Sequence, residues 1–268
     1  MSWPIGKTYD GGTWRVEADA FEAYADATDD TNPAYRGDDA IAPPMFHVQP
    51  LIGLMLSCAR DPELGIDMLR LVHGEHSMDF HRPMVDGETL DLGAELLSVD
   101  EKPSGTIFAF GLTASVDGTP VCSGRTAYFV RAKSPPPKGP KKPKAEKPAP
   151  PAPDFTVEQP VSEDQAVRYA AASLDDNPIH TDEEVAKKAG LPRTILHGLC
   201  TMAFAQRDLI ARHGGDPRAL ASIAARFTGM VLPGQTLVLK AWDDGDTVTF
   251  QTDGPSGKPV LMGTATFR

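Results

Sequence analysis

The sequence predicts an α+β chain made of two tandem copies of one unit, each an antiparallel sheet wrapped around a long helix. Three observations carry this expectation. First, three stretches recur in the same order. ATDDTNPAY (27–35) matches SLDDNPIH (173–180), with Asp30, Asn32 and Pro33 set against Asp175, Asn177 and Pro178. FHRPMVDGETL (80–90) matches FTGMVLPGQTL (227–237), and DGTPVCSGRTAYF (117–129) matches PSGKPVLMGTATF (255–267). Repetition in register is the signature of a duplicated structural unit. Second, in each copy helical periodicity comes first and β-branched runs follow. Third, KSPPPKGPKKPKAEKPAPPAP (133–153) separates the copies: nine prolines and six lysines in 21 residues, with no aromatic or β-branched side chain to pack. Such a stretch is a solvated spacer with polyproline II character. The expected organisation is therefore 1–132, a linker over 133–153, and 154–268.

Within each unit a short helix is expected first, over Val16–Ala27 and Glu163–Ala172. Ser162 and Gln165 have capping-box spacing. The D-x-N-P turn follows, and in the second copy it leads to another short helix, with Thr181 and Glu184 again at capping-box spacing and Gly190 as its stop. A longer apolar helix is expected around 199–212, where Leu199, Met202, Ala203, Gln206, Leu209 and Ile210 fall on one face and Gly214-Gly215 ends it. TLVLKAW, TVTFQT and PVLMGTATF, separated by DDGD and DGPSGK, are the strands of a meander.

Composition narrows the function classes. The 268 residues are 41% hydrophobic and 24% charged, ordinary for a soluble globular chain. A formal charge of −11 argues against a nucleic-acid partner, which needs a basic face. No apolar run is long enough for a membrane span. MSWPIGKTYDGG lacks the apolar stretch of a signal peptide, and TATFR carries no retention or peroxisomal address. Cys58, Cys122 and Cys200 are odd in number and far apart, which fits buried free thiols in a reducing cytoplasm.

The chemistry-bearing stretch is LDDNPIHTDEEVAKKAGLPRTILHGLCTM (174–202). Pro178 fixes its own φ and pushes Asn177 out of the helical region, so the chain must turn there. Such a turn can aim Asp175 and His180 at one point as a general acid/base pair, with the Asn177 amide holding a water or a neighbour. Gly198 opens the long helix, where its N–H is unpaired at the positive end of the dipole. That makes it a donor for an oxygen developing negative charge. Together these parts suit proton transfer next to a carbonyl. Other readings stand beside this one. D-x-N-P is also a good turn sequence, and His197 also reads as a packing residue. Asp175, His180 and His197 form a conceivable metal site that no HExxH or CxxC pattern supports.

SLDDNPIHTDEEVAKKAGLPRTILHGLCTMAF closely resembles the hydratase 2 motif of the MaoC-like family, and RFTGMVLPGQTL resembles the strand that follows it. The one departure in the S-G-D-x-N-P-x-H core is Leu174, where glycine is usual. The resemblance implies a double hotdog fold. It also implies hydration of a trans-2-enoyl thioester to the (R)-3-hydroxyacyl thioester, run in either direction, with no metal or redox cofactor. Carried over, Asp175 and His180 are the acid/base pair, Asn177 orients water or side chains, and the Gly198 amide polarises the thioester carbonyl.

In the first copy Tyr35 stands in place of His180, and IAPPMF (41–46) replaces the His-Gly segment. Proline has no N–H to donate, so one active site per chain is expected. The first copy is then left to complete the acyl pocket, with Met45, Phe46, Leu51, Ile52 and Met55 as candidate lining residues. The substrate carries either coenzyme A or an acyl-carrier phosphopantetheine, whose phosphates require local positive charge. Arg193 and Arg226 are the candidates, and His197 is a further substrate-binding candidate. A hotdog thioesterase and a silent acyl-thioester binder are the alternative functions. The sheet edges leave room for a homodimer of pseudo-dimeric chains.

Overall fold

The computed structural model describes residues 3–134 and 151–268. Most of the proline- and lysine-rich linker lies outside the described residues. Among the described residues, ten strands form one antiparallel sheet in the order β1-β3-β4-β5-β2-β7-β10-β9-β8-β6. The first unit supplies β1 (Thr8–Arg15), α1 (Asp19–Ala27), α2 (Val48–Ala59), β2 (Leu71–Phe80), β3 (Thr89–Lys102), β4 (Gly105–Val116) and β5 (Thr119–Arg131). The second supplies β6 (Phe155–Pro160), α3 (Gln165–Ser173), α4 (Glu183–Lys188), α5 (Gly198–Arg212), β7 (Leu220–Phe227), β8 (Thr236–Asp244), β9 (Thr247–Asp253) and β10 (Pro259–Phe267). The copies join where β2 pairs with β7, from Glu75↔Arg226 to Asp79↔Ser222, so one sheet runs through both. This is the double hotdog expected from the sequence.

The strands alternate as half-buried strands must. In β2, His76, Met78 and Phe80 are buried while Asp79 is exposed, and in β8 Leu237, Leu239 and Ala241 are fully buried. The central helices lie on the buried side. From Leu199 to Gln206 every residue of α5 is buried, so this helix is enclosed all round and is not amphipathic as its spacing suggested. Each fully buried Leu or Phe on these elements contributes about 1.5–3 kcal/mol relative to exposure.

Several helix boundaries differ from expectation. The first helix begins at Asp19, not Val16, because Val16 N–H pairs with Glu88 O and Ala18 N–H with the Asp86 carboxylate. The third begins at Gln165; its side chain accepts from Ser162 N–H at 3.3 Å, while the Ser162 hydroxyl bonds other side chains and leaves the capping box half made. The cap of α4 is Asp182, not Thr181, with its carboxylate accepting from Glu184 and Val185 N–H. Gly190 and Gly214-Gly215 do end their helices, all with positive φ. The opening strands β1 and β6 were not anticipated; they are the two edges of the sheet.

Candidate active site

Helix α3 ends at Ser173, and the chain then takes a left-handed step at Leu174 (φ 60°) that launches Asp175. This is why glycine suits the position: a side chain in the left-handed region is strained. The first unit makes the same step at Asp29 (φ 51°), with a residue type that tolerates it. Beyond the step, Asp175 accepts from Asn177 N–H at 3.4 Å, and Pro178–His180 forms one 3-10 turn. The turn delivers His180 to a buried position beside the start of α5.

There His180 stacks on His197, with ring centroids 3.7 Å apart and planes inclined by 26°. Two backbone carbonyls set the tautomers. His180 Nδ1–H donates to Ile195 O at 2.8 Å, which leaves Nε2 as a free lone pair. His197 Nε2–H donates to Asp175 O at 3.0 Å, and its Nδ1 is buried without a partner. His197 therefore ties the backbone of one catalytic candidate to the ring of the other. Immediately after it, Gly198 is the first residue of α5, so its N–H has no intrahelical acceptor. A Cβ on Gly198 would lie 2.9 Å from the Phe227 ring, too close for any side chain.

Burial dominates the electrostatics. It pushes the Asp175 carboxyl up against the opposing pull of His180, and pushes the His180 imidazole down against the pull of Asp175. His197 is held well below the ordinary histidine range by burial, with His180 as the next cause. Burial thus disfavours the charged form of each member of the pair, with a neutral His197 behind it. One ligand atom from each of Asp175, His180 and His197 lies within 4.8 Å of the others. A shared ion would have to lie near the planes of both imidazoles, where the ring lone pairs point. Stacked rings offer nearly parallel planes instead, so the arrangement suits proton transfer better than chelation.

Residues 144–262 match the family described as MaoC like domain, and residues 4–123 match the FAS1-like, dehydratase domain region. "Enoyl-CoA hydratase 2, peroxisomal" of Arabidopsis thaliana is 33% identical over 216 residues, covering 75% of this chain and 70% of that protein. The chain belongs to the MaoC-like dehydratase family. A second relative, "3-hydroxyacyl-thioester dehydratase Y" of Mycobacterium tuberculosis, is 34% identical over 210 residues and covers 71% of this chain and 70% of its own. "Peroxisomal multifunctional enzyme type 2" of Drosophila melanogaster is 33% identical over 247 residues, and this chain spans 40% of its length. Among solved structures, a MaoC-like dehydratase from Phytophthora capsici superposes with a TM-score of 0.86 at 26% identity, covering 98% of this chain and 95% of that one.

Against this MaoC-like frame, some candidates from the sequence take other places. Asn177 is exposed, and its Oδ1 accepts from Ile179 N–H at 3.4 Å, so its side chain caps the turn, and its own N–H is what reaches the Asp175 carboxylate. Arg193 is paired with Glu163 at 2.9 Å and is not a free cation for phosphate. Arg226 projects from β7 with 71% of its side chain exposed, 3.7 Å from Glu75. Met45 and Phe46 are fully buried; Phe46 packs edge-on against Phe21 and Tyr24 in the first unit's core. Leu51 and Met55 are equally enclosed, because α2 packs on the sheet as well as on its neighbour unit. In the first copy's counterpart of the site, Pro44 opens the helical segment and Tyr35 is buried with its hydroxyl unpaired.

Other residues of the site were not anticipated. The Ile195 carbonyl orients His180, Tyr169 packs on His197 at 5.0 Å, and Phe227 closes against Gly198. Gln49 of the first unit donates to Ala172 O at 2.8 Å, bracing the end of α3 just before Asp175. Tyr169 had a visible signal: it stands six residues before Asp175, as Tyr24 stands six before Asp30.

Proposed function

We propose that this protein adds water across the double bond of a trans-2-enoyl thioester to give the (R)-3-hydroxyacyl thioester, and catalyses the reverse dehydration. The observation that supports this most directly is the fixed tautomer of His180. With Nδ1–H held by Ile195 O, Nε2 is a base beside the Asp175 carboxyl, at the N-terminus of α5. In the hydration direction the Asp175–His180 pair removes one proton from water as its oxygen bonds to the β-carbon. The pair returns a proton to the α-carbon on the same face, so water is consumed with no other reactant. Charge that builds on the thioester oxygen meets the Gly198 N–H at the positive end of α5. The thioester itself acidifies the α-carbon, so the reaction as proposed uses no redox cofactor. The names of the relatives support this class of substrate. Coenzyme A is the proposed carrier of the acyl group, with an acyl carrier protein as the other source of the same thioester.

The cytoplasm is the proposed compartment, supported by three buried free cysteines, although some relatives are named peroxisomal. No helix of the described residues is long and apolar enough to cross a membrane. The test is loss of enoyl-thioester absorbance with crotonyl-CoA and a longer trans-2-enoyl-CoA, with the configuration of the product assigned. Turnover to the (R)-3-hydroxy product, lost in Asp175→Asn and His180→Ala, is the expected result. Release of free thiol without hydration would identify a thioesterase instead.

A further inference from the structure

The sheet brings one side chain of the first copy to the ring that backs the start of α5. Strand β2 buries His76, Met78 and Phe80 by alternation, and on that count His73 belongs on the opposite face. A bulge reverses it. His73 pairs with Tyr128 and Glu75 with Ala127, which leaves Gly74 as an extra residue in β2. Bulges of this kind re-aim a side chain. The His73 ring accordingly lies edge-on to His76 at 5.5 Å and tilted against Tyr128 at 5.3 Å. Across the junction it meets Phe227 of the second copy, with ring centroids 4.9 Å apart. Phe227 is the ring that lies against Gly198. His73 Nε2 bonds the Thr126 hydroxyl at 2.8 Å, which fixes the imidazole in its plane. The same wall faces the acid/base pair: burial raises the pKa of the Tyr128 phenol, and the Asp175 charge adds to the rise.

The second copy carries the same bulge. Thr266 pairs with Ser222 and Phe267 with Leu220, so Ala221 is the extra residue in β7. Phe80 pairs with Cys122 as Phe227 pairs with Leu261, which sets the two copies in register. Leu220 then stands where His73 stands, Ala265 where Thr126 stands, and Phe267 where Tyr128 stands. All three are buried and apolar. Leu220 lines a cleft with Phe80, Pro43 and Pro44, which is the first copy's counterpart of the site. The fold therefore does not require a polar side chain at this place. Burying one costs free energy unless it is hydrogen-bonded, and the bonded His73–Thr126 pair stands where the wall faces Phe227 and Gly198.

We propose that His73 is a positioning residue for the Gly198 N–H, acting through Phe227. This rests on the enoyl-thioester reading above. Thr126 locks the His73 ring, that ring backs Phe227, and Phe227 limits how far the first turn of α5 can shift. The donor at Gly198 is thereby held in one place while charge builds on the thioester oxygen. The copy that lost its own histidine and helix-start N–H thus still serves the reaction of the other.

His73→Leu tests this, since leucine is the residue that the second copy accommodates at the equivalent place. With crotonyl-CoA the variant is expected to lose about tenfold in kcat, with KM within about twofold of wild type, because the donor acts on developing charge. His73→Phe keeps a ring behind Phe227 and should restore most of the loss. Unchanged kcat in folded His73→Leu, or a loss that falls on KM alone, overturns the proposal. A second measurement needs no turnover. Gly198→Ala lowers the melting temperature through its clash with Phe227, and in the His73→Leu background Phe227 can give way, so the drop should be about half as large. Equal drops in the two backgrounds overturn the brace. Where His73→Leu does not fold, Thr126→Val takes its place in both measurements, since it frees the His73 ring and keeps its volume. If wild type does not hydrate crotonyl-CoA, the hydratase reading fails, and the melting comparison alone decides the brace.

Discussion

Tyr24 and Tyr169 meet hydroxyl to hydroxyl at 3.1 Å, fully buried, with their rings 5.7 Å apart. They are the same position in the two copies, so the contact joins the units where the repeat faces itself. Tyr24 packs on Phe46 and Tyr169 on His197, which links the first unit's core to the His180–His197 stack. Removing one hydroxyl leaves the other buried and unpaired, at a cost of about 1–3 kcal/mol. Tyr24→Phe and Tyr169→Phe should therefore each lower unfolding stability by that order. The double variant should lose clearly less than the sum, and strictly additive losses in denaturant titrations would deny the pair.

Leu174 should be improvable. It occupies the left-handed region with 45% of its surface exposed, so its side chain has little packing to lose. Left-handed backbone costs a non-glycine residue about 1–2 kcal/mol, and part of that returns as glycine's larger unfolded-state entropy. Leu174→Gly is expected to stabilise by about 0.5–1 kcal/mol with kcat unchanged, read by urea unfolding and the hydration assay.

Gly198 should reject any side chain. Gly198→Ala keeps the amide but sets a Cβ against the Phe227 ring, displacing the start of α5. A displacement near 1 Å at the reacting atoms costs about a hundredfold in rate. Phe227→Leu in the same chain should recover part of that loss. No recovery would mean the defect is not steric.

The pH dependence of activity follows from the opposed shifts of Asp175 and His180. His180 lies below its ordinary 6.5, so its base form persists through neutral pH and the acid limb of kcat/KM falls below that value. The Asp175 charge raises the His180 pKa, so Asp175→Asn should move the acid limb lower still while cutting the rate about 10²–10⁴-fold. An acid limb that moves to higher pH would contradict the arrangement.

Stability should fall on the acid side for a related reason. His47 is pushed down to about 4 by burial, and His76 and His197 lie well below 6.5. His47 and His76 meet at 2.9 Å through their Nε2 atoms, with His47 Nδ1–H given to Pro44 O, so the bond forms with both rings neutral. Their folded pKa values are depressed, so below 6.5 the unfolded chain binds protons that the native chain refuses. Stability present above 6.5 is then lost as pH falls towards 4, at about 1.4 kcal/mol per pH unit for each such histidine. Urea unfolding at pH 7 and pH 5 reads this slope, and His76→Leu should reduce it.

The sequence by itself determined the duplication, the α+β class and the positions of Asp175, His180 and Gly198. Those residues lie in one short stretch whose proline turn and helix start are local events, so spacing marked them as candidates. It did not reveal β1, because Gly11 and Gly12 interrupt its alternation and the strand pairs through a register shift between Asp10 and Thr13. Nor did it show that Asn177 caps a turn or that Glu163 already holds Arg193. Only the tertiary structure decided the tautomer of His180, the stack on His197 and the bracing of the end of α3 by Gln49. Each of those depends on groups far apart in the chain, or on a backbone carbonyl whose direction no residue type encodes.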